Sequence, residues 1–240
     1  LTDSQELLSL LILAHQSLTS RGLGQIANGG LLDLIRQVSC FGLCLLPLDV
    51  RQESTRHTEA LDAISRFLGQ GSFAQWDEDT RVTWLLRELN EKRPLLPRRG
   101  AGGYAELGPM FDPTVCDTLE TFDAIAELPA EGLGAYVISM AKQASDVLAV
   151  RLLQREAGVR QPMRVVPLFE TLDDLKNAPA VMTHLWSMAW YRGDTGATQE
   201  VMIGYSDSAK DAGRLAAAWA QYETQEALAQ QAQASGVALT

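Results

Sequence analysis

Histidine and cysteine are scarce in this chain, with three of each in 240 residues. His15, His57 and His184 lie far apart, so no histidine cluster with metal-ligand spacing exists, and His57 reads as structural. Cys40 and Cys44 do not have the spacing of a zinc knuckle, and an odd number of cysteines argues against a disulfide framework. The three thiols sit in or beside apolar runs and are expected to be buried; a reducing, cytoplasmic setting suits them. A basic excess is missing too. Against 30 Asp and Glu there are 20 Lys and Arg, a formal charge of −10, which argues against a nucleic-acid or anionic-membrane partner. A small anionic substrate stays compatible, because a local arginine cluster can serve it whatever the global charge. Long apolar runs are also absent. The longest, Leu7–Ala14, is interrupted by Ser9 and too short to span a bilayer, and no secretory leader is visible.

What is present is enough apolar material, 46 % of residues, for a sizeable core. Thr2 or Asp3 can cap a first helix that runs to about Ser20. Gly22, Gly24 and Ala27 match a loose dinucleotide fingerprint. That fingerprint needs a preceding strand, and a helix precedes here, so the segment reads as a helix–helix turn. A second helix over about Leu31–Cys40 leads to the apolar run Leu43–Val50, which reads as a strand buried on both faces. Helices are predicted over about Thr55–Leu68, Asp77–Asn90 and Val115–Leu128. The Pro/Gly/Arg-rich stretch Arg93–Pro113 between the last two is a surface-loop candidate.

From Ala135 strands and helices alternate: strand Ala135–Met140, helix Asp146–Ala157, strand Arg164–Phe169, helix Leu172–Leu185, strand Glu200–Tyr205, and an Ala-rich helix over about Ala209–Ala234. This predicts a helix-rich α/β fold of parallel βαβ units, compatible with an open doubly wound sheet or part of a (β/α)8 barrel. The pattern opens on a helix at Leu1 and closes on a β-type run, Val237–Thr240. The chain is therefore expected to be a single segment, residues 1–240, truncated at both ends.

Two successive units share a detail. Glu170-Thr171-Leu172-Asp173-Asp174 follows one strand and Asp207-Ser208-Ala209-Lys210-Asp211 the next, and each resembles a capping box with a carboxylate just before the cap. Glu170 and Asp207 are thus expected at equivalent strand ends, the rim where α/β folds place their sites, and two convergent carboxylates suit Mg²⁺ or Mn²⁺. The alternative is a pair of solvated acids at helix N-termini. Lys210 is expected near the second position of its helix, where the macrodipole disfavours a cation, and that hints at a functional reason. Arg51, at the end of the first strand, offers a planar fork for phosphate or carboxylate; the bland reading pairs it with Glu53 or Asp49.

Asp49–Ala60 (DVRQESTRHTEA), Arg87–Pro97 (RELNEKRPLLP), Ala135–Lys142 (AYVISMAK), Ser145–Gly158 (SDVLAVRLLQREAG), Val166–Leu175 (VPLFETLDDL) and Gln199–Gly213 (QEVMIGYSDSAKDAG) resemble phosphoenolpyruvate carboxylase. The likeness runs through nearly the whole chain, and GYSDSAKDAG is its most specific part. Arg98–Pro113 is the least similar stretch. The resemblance implies a partial (β/α)8 barrel, phosphoenolpyruvate and bicarbonate as substrates, Mg²⁺ or Mn²⁺ as cofactor, and a cytoplasmic homotetramer. By the same resemblance Glu170 and Asp207 are metal ligands, Arg51 holds the substrate phosphate, and Lys210 is the active-site lysine. The family's essential histidine and its glycine- and arginine-rich loop have no match here, so the parent is expected to be a carboxy-lyase while the isolated segment is expected to be inactive. Two other readings of the residues stand beside this one: a metal-assisted barrel aldolase with Lys210 as Schiff base, and a non-catalytic scaffold barrel.

Overall fold

Most of the expected helices and strands form in the computed structural model, which describes residues 3–97 and 103–240. In chain order the helices and strands are α1 (Ser4–Ser20), α2 (Gly24–Ile26), α3 (Leu32–Phe41), β1 (Leu48–Glu53), α4 (Ser54–Phe67), α5 (Glu78–Asn90), α6 (Pro113–Glu127), β2 (Leu133–Ser139), α7 (Ala144–Glu156), β3 (Arg164–Phe169), α8 (Leu172–Ser187), α9 (Ala189–Thr195), β4 (Thr198–Gln199), β5 (Met202–Ile203), α10 (Tyr205–Ala212), α11 (Arg214–Ser235) and β6 (Ala238–Leu239). The chain divides into two units: Leu1–Leu48 with Pro129–Gly132, and Asp49–Leu128 with Leu133–Thr240. None of the helices among the described residues is long and apolar enough to cross a membrane.

In the first unit Asp3 caps α1 by accepting from the Gln5 amide at 2.8 Å, which satisfies one orphan donor of the helix start; Thr2 lies outside the described residues. Gly22, at φ +77, turns the chain into α2 and a π-helical stretch Ala27–Leu31, the expected helix–helix connection. The only buried hydrophobic residues described in this unit are Ala27 and Val38. The Leu43–Val50 strand is corrected here. Gly42 and Leu45 both take φ +58, so the chain turns rather than extends; Leu43, Leu45, Leu46 and Leu48 are exposed, and pairing starts only at Leu48. The apolar composition favours a buried strand, but turn geometry intervenes.

The second unit is built on a sheet of order β1-β2-β3-β5, with β4 and β6 in a separate two-stranded sheet. The β2–β3, β3–β5 and β4–β6 pairs are parallel; Val137 stands opposite Val166, and Phe169 opposite Ile203. Side chains alternate across a strand, so β2 sends Tyr136 and Ile138 into the main core and Ala135 and Val137 into a second cluster with Val166 and Leu168. Both faces are covered, which is what parallel strands require. Phe122 of α6 stacks on Tyr136 at 5.1 Å between ring centroids. Asp77 and Asp112 cap α5 and α6, each accepting an amide at 2.9 Å, and Pro113 occupies the first turn of α6, where a missing N–H costs nothing.

The charged Arg87–Pro97 motif is structural. The carboxylate of fully buried Glu88 is clamped by Arg87 at 2.7 Å and Arg93 at 3.0 Å, and Arg155 donates to the Glu88 carbonyl. The loop candidate that follows is anchored at its start, where the Leu95 amide donates to Glu156 at 2.6 Å; Arg98–Gly102 lie outside the described residues.

Three further expectations are revised. Glu200–Tyr205 is not one strand: only Met202–Ile203 of it pairs in the sheet, as β5, and Tyr205 already opens α10. The Ala-rich helix breaks at Gly213, whose φ of +82 separates α10 from α11. The cysteines are free, but Cys40 is exposed and Cys44 and Cys116 are half-buried; the Cys116 thiol donates to the Phe111 carbonyl at 3.2 Å.

A close contact aligns β1 with β2. The Asp49 carboxylate accepts from the Ala135 amide at 2.7 Å, through space left by Gly134, where an added Cβ would meet Asp49 Oδ1 at 2.2 Å. Gly134→Ala is expected to expel the carboxylate and destabilise the fold by about 1–3 kcal/mol, the usual cost of an orphaned buried donor. Adding Asp49→Ala should then cost much less than it does alone. Thermal melts of the two single variants and the double variant check this; fully additive losses would contradict it.

Candidate active site

The C-terminal ends of β1, β2, β3 and β5 bring the sequence-predicted residues to one rim. Glu170 follows β3 directly, and its side chain is only 8 % exposed. A buried carboxylate needs donors, and Glu170 takes them from two other strands. Arg51 of β1 donates Nη2 to Oε1 at 2.7 Å, and the backbone N–H of Met140, the residue after β2, donates to Oε2 at 3.0 Å. From β5, Gly204 closes in on the stem: a Cβ there would lie 3.2 Å from Glu170 Cγ and 3.3 Å from its Cα. Its amide also bonds the Phe169 carbonyl at 2.9 Å. Arg51 thus pairs with Glu170, neither with Glu53 nor with Asp49.

Of the two capping boxes that the sequence suggests, one forms. Thr171 Oγ1 accepts from the Asp174 amide at 3.1 Å and the Asp174 carboxylate from the Thr171 amide at 3.0 Å. The second does not. Gly204 is the N-cap of α10, so Asp207 lies within the first turn rather than before the cap. Ser208 donates back to the Gly204 carbonyl at 2.6 Å, and Asp211 accepts the Leu172 amide at the start of α8 at 2.9 Å. Lys210 consequently sits in the last turn of α10, where the helix dipole favours a cation, so its position breaks no local rule. Its ammonium is 3.3 Å from Asp207 Oδ1, on side chains 77 % and 51 % exposed. The four predicted site residues therefore form two cation–carboxylate pairs, one largely buried on the Glu170 side and one open to solvent.

The donor set suits a hard cation held partly by protein. Each Glu170 oxygen receives one donor and keeps a lone pair, and Asp207 is accessible three residues beyond the glycine that packs on Glu170. Mg²⁺ needs only one or two carboxylates when substrate oxygens and water complete its octahedron. Among the described residues no group of three His, Cys, Asp or Glu could form a closed protein cage.

Sequence reasoning missed the residues that shape this rim: Met140, Ser54 and Gly204. Met140 and Gly204 act through backbone atoms, which no side-chain pattern reveals; Ser54, at a strand–helix junction, carried a weak signal. The structural reading of His57 holds. Fully buried, it meets the Tyr136 hydroxyl at 2.8 Å through Nε2, and that hydroxyl donates to Gln52 Oε1 at 2.8 Å. Because the one phenol proton goes to the glutamine, Nε2 must be the imidazole donor, which fixes the neutral Nε2–H tautomer. Nδ1 has no partner among the described residues.

Comparison with known proteins now decides the family. The phosphoenolpyruvate carboxylase family model matches residues 1–240. The chain belongs to the phosphoenolpyruvate carboxylase family. It is 56 % identical to phosphoenolpyruvate carboxylase 1 of Chlamydomonas reinhardtii over 99 % of its own length and 23 % of that protein. It is 54 % identical to phosphoenolpyruvate carboxylase 2 of Sorghum bicolor, over 100 % of this chain and 24 % of the relative. With the phosphoenolpyruvate carboxylase of Edwardsiella ictaluri the identity is 53 %, over 100 % of this chain and 26 % of the relative. The chain spans about a quarter of the length of these carboxylases.

Burial pushes the His57 pKa from 6.5 down to about 3. Between those values the unfolded chain holds a proton that the folded chain refuses. The neutral histidine therefore contributes its full stability above pH 6.5, and stability falls by about 1.4 kcal/mol per pH unit on acidification towards 3. His57→Gln keeps an N–H donor for Tyr136 and cannot titrate, so its acid unfolding, followed by far-UV circular dichroism, is expected at lower pH than that of the parent. Superimposable acid limbs would refute the buried neutral histidine.

Proposed function

We propose that this chain forms part of an enzyme that carboxylates phosphoenolpyruvate with bicarbonate to give oxaloacetate and phosphate, and that it supplies residues for the metal and the phosphate. The observation that carries the reading is the rim itself. Glu170 after β3 and Asp207 in the first turn of the helix that follows the neighbouring β5, each paired with a cationic side chain, belong to a chain that the carboxylase family matches throughout. A partial (β/α)8 barrel is the architecture we favour for the sheet. Its strands follow chain order without a reversal, and its second face is closed by the apolar cluster of Ala135, Val137, Val166 and Leu168.

In the proposed reaction a bicarbonate oxygen attacks the phosphorus as the bond to the enol oxygen breaks, giving carboxyphosphate and the enolate of pyruvate. Carboxyphosphate releases phosphate and carbon dioxide, and the enolate carbon captures the carbon dioxide. A Mg²⁺ or Mn²⁺ ion held by Glu170 and Asp207 would supply a positive centre against the charge that develops on phosphate and enolate oxygens. Arg51 uses one N–H on Glu170; the rest of its guanidinium, on a side chain 55 % exposed, has no other partner among the described residues and is available to phosphate oxygens. Lys210, within reach of Asp207 on an exposed side chain, can turn its ammonium to the anions and hold carboxyphosphate and enolate together until the carbon–carbon bond forms.

Glu170→Gln and Asp207→Asn preserve shape while each removes one anionic ligand. In the whole protein, oxaloacetate formation titrated with Mn²⁺ should show each variant losing at least ~100-fold in activity at modest metal concentration, with partial recovery at excess metal. Unchanged titration curves in both would overturn the proposal.

A further inference from the structure

The Glu170 carboxylate depends on a contact that its own strand does not make. Met140 takes φ +56, the left-handed region, without being glycine, asparagine or aspartate. Such a conformation is strained for a residue with a side chain and persists only where its surroundings over-determine it. Here both flanking peptides are pinned. The Met140 N–H donates to Glu170 Oε2 at 3.0 Å, and its carbonyl accepts from Ser54 Oγ at 2.8 Å. Ser54, 9 % exposed, opens α4 immediately after β1. The segment that sends Arg51 to Oε1 therefore reaches Oε2 as well, through the Met140 backbone.

Each link has an alternative that the geometry excludes. An extended or right-handed Met140 would rotate its amide away from the carboxylate, since φ sets the direction of the N–H relative to the following carbonyl. The Glu170 side chain cannot follow a retreating amide freely. The Gly204 backbone lies against its stem, at distances where even one methyl group would press on Cα and Cγ. Arg51 alone would leave Oε2 without a protein donor and the carboxylate free to swing about its contact with the guanidinium.

From this arrangement we infer that Ser54 and Met140 are positioning residues: the Ser54 hydroxyl holds Met140 in its left-handed conformation, and the Met140 amide then fixes the orientation in which Glu170 presents its carboxylate to the divalent cation. The inference rests on the proposed role of Glu170 as a metal ligand. It goes further in assigning the orientation of that ligand to a serine from a different strand–helix junction.

The test is direct Mn²⁺ binding to the whole protein, read by electron paramagnetic resonance of free Mn²⁺ without turnover, for the parent, Ser54→Ala, Ser54→Thr, Ser54→Ala/Met140→Gly and Glu170→Gln. Ser54→Ala should weaken Mn²⁺ binding about tenfold, as loss of an outer-shell partner does. Ser54→Thr keeps the hydroxyl and should bind like the parent. Glycine adopts the left-handed conformation without strain, so adding Met140→Gly should recover most of the loss from Ser54→Ala. A general packing defect at Ser54 would not be relieved by removing a second side chain. If Ser54→Ala binds like the parent while Glu170→Gln binds weakly, the positioning role is wrong and the ligand role stands. If Ser54→Ala is weak and Met140→Gly gives no recovery, the route through Met140 is overturned. If Glu170→Gln binds like the parent, Glu170 is not a ligand and the inference falls with it.

Discussion

The grip on one buried carboxylate organises the rim. Glu170 is nearly inaccessible, and an ionised carboxylate in that position is tolerated only with hydrogen-bonding partners and compensating charge. Both come from elsewhere in the chain: the guanidinium from β1, the amide from the residue after β2, and a close backbone wall from the glycine after β5. Satisfying Glu170 thus requires the ends of four strands to meet. The parallel register of β2 on β3 and of β3 on β5 produces that meeting. Asp49, bonded to the Ala135 amide across Gly134, does the same for β1 at its entry.

The two cation–carboxylate pairs differ in the environment that sets their worth. Lys210 and Asp207 are exposed and close together on one helix, an arrangement that contributes little to stability and is readily exchanged for other partners. Arg51 and Glu170 are far apart in sequence, and the carboxylate is buried, so this pair ties the sheet together as well as holding charge. A rim with one fixed anion and one adaptable anion suits a cation that shares its coordination sphere with arriving substrate oxygens. The net charge of −10 has no bearing on this, because the cationic groups that matter are local.

Much of this was legible in the sequence. Alternating apolar strands and helices gave the parallel units, Arg164–Phe169 was delimited to the residue, and the Thr171–Asp174 box marked the start of α8 and so placed Glu170 at a strand end. The likeness between the two acid–hydroxyl motifs then misled. Gly204 had already ended the strand and capped a helix, so Asp207 and Lys210 lie one helical stage later than the analogy predicted. The break at Gly213 was hidden because a helix-rich, Ala-rich composition continues across it, and only its positive φ separates α10 from α11. Leu43–Val50 failed for the opposite reason: composition favoured a buried strand, while Gly42 and Leu45 turn the backbone. Met140 could not have been found from side-chain patterns, since its part is played by an amide in a conformation that methionine does not advertise.

We propose that Glu170, after β3, and Asp207, in the first turn of α10, together bind a divalent cation. Anomalous diffraction from Mn²⁺-soaked crystals of the whole protein tests it most directly. One anomalous peak is expected, with an oxygen of Glu170 and an oxygen of Asp207 each about 2.0–2.3 Å away, within the range of hard-cation contacts. A Mn²⁺ peak elsewhere, with Glu170 still closed on Arg51 and Asp207 on Lys210, would contradict it.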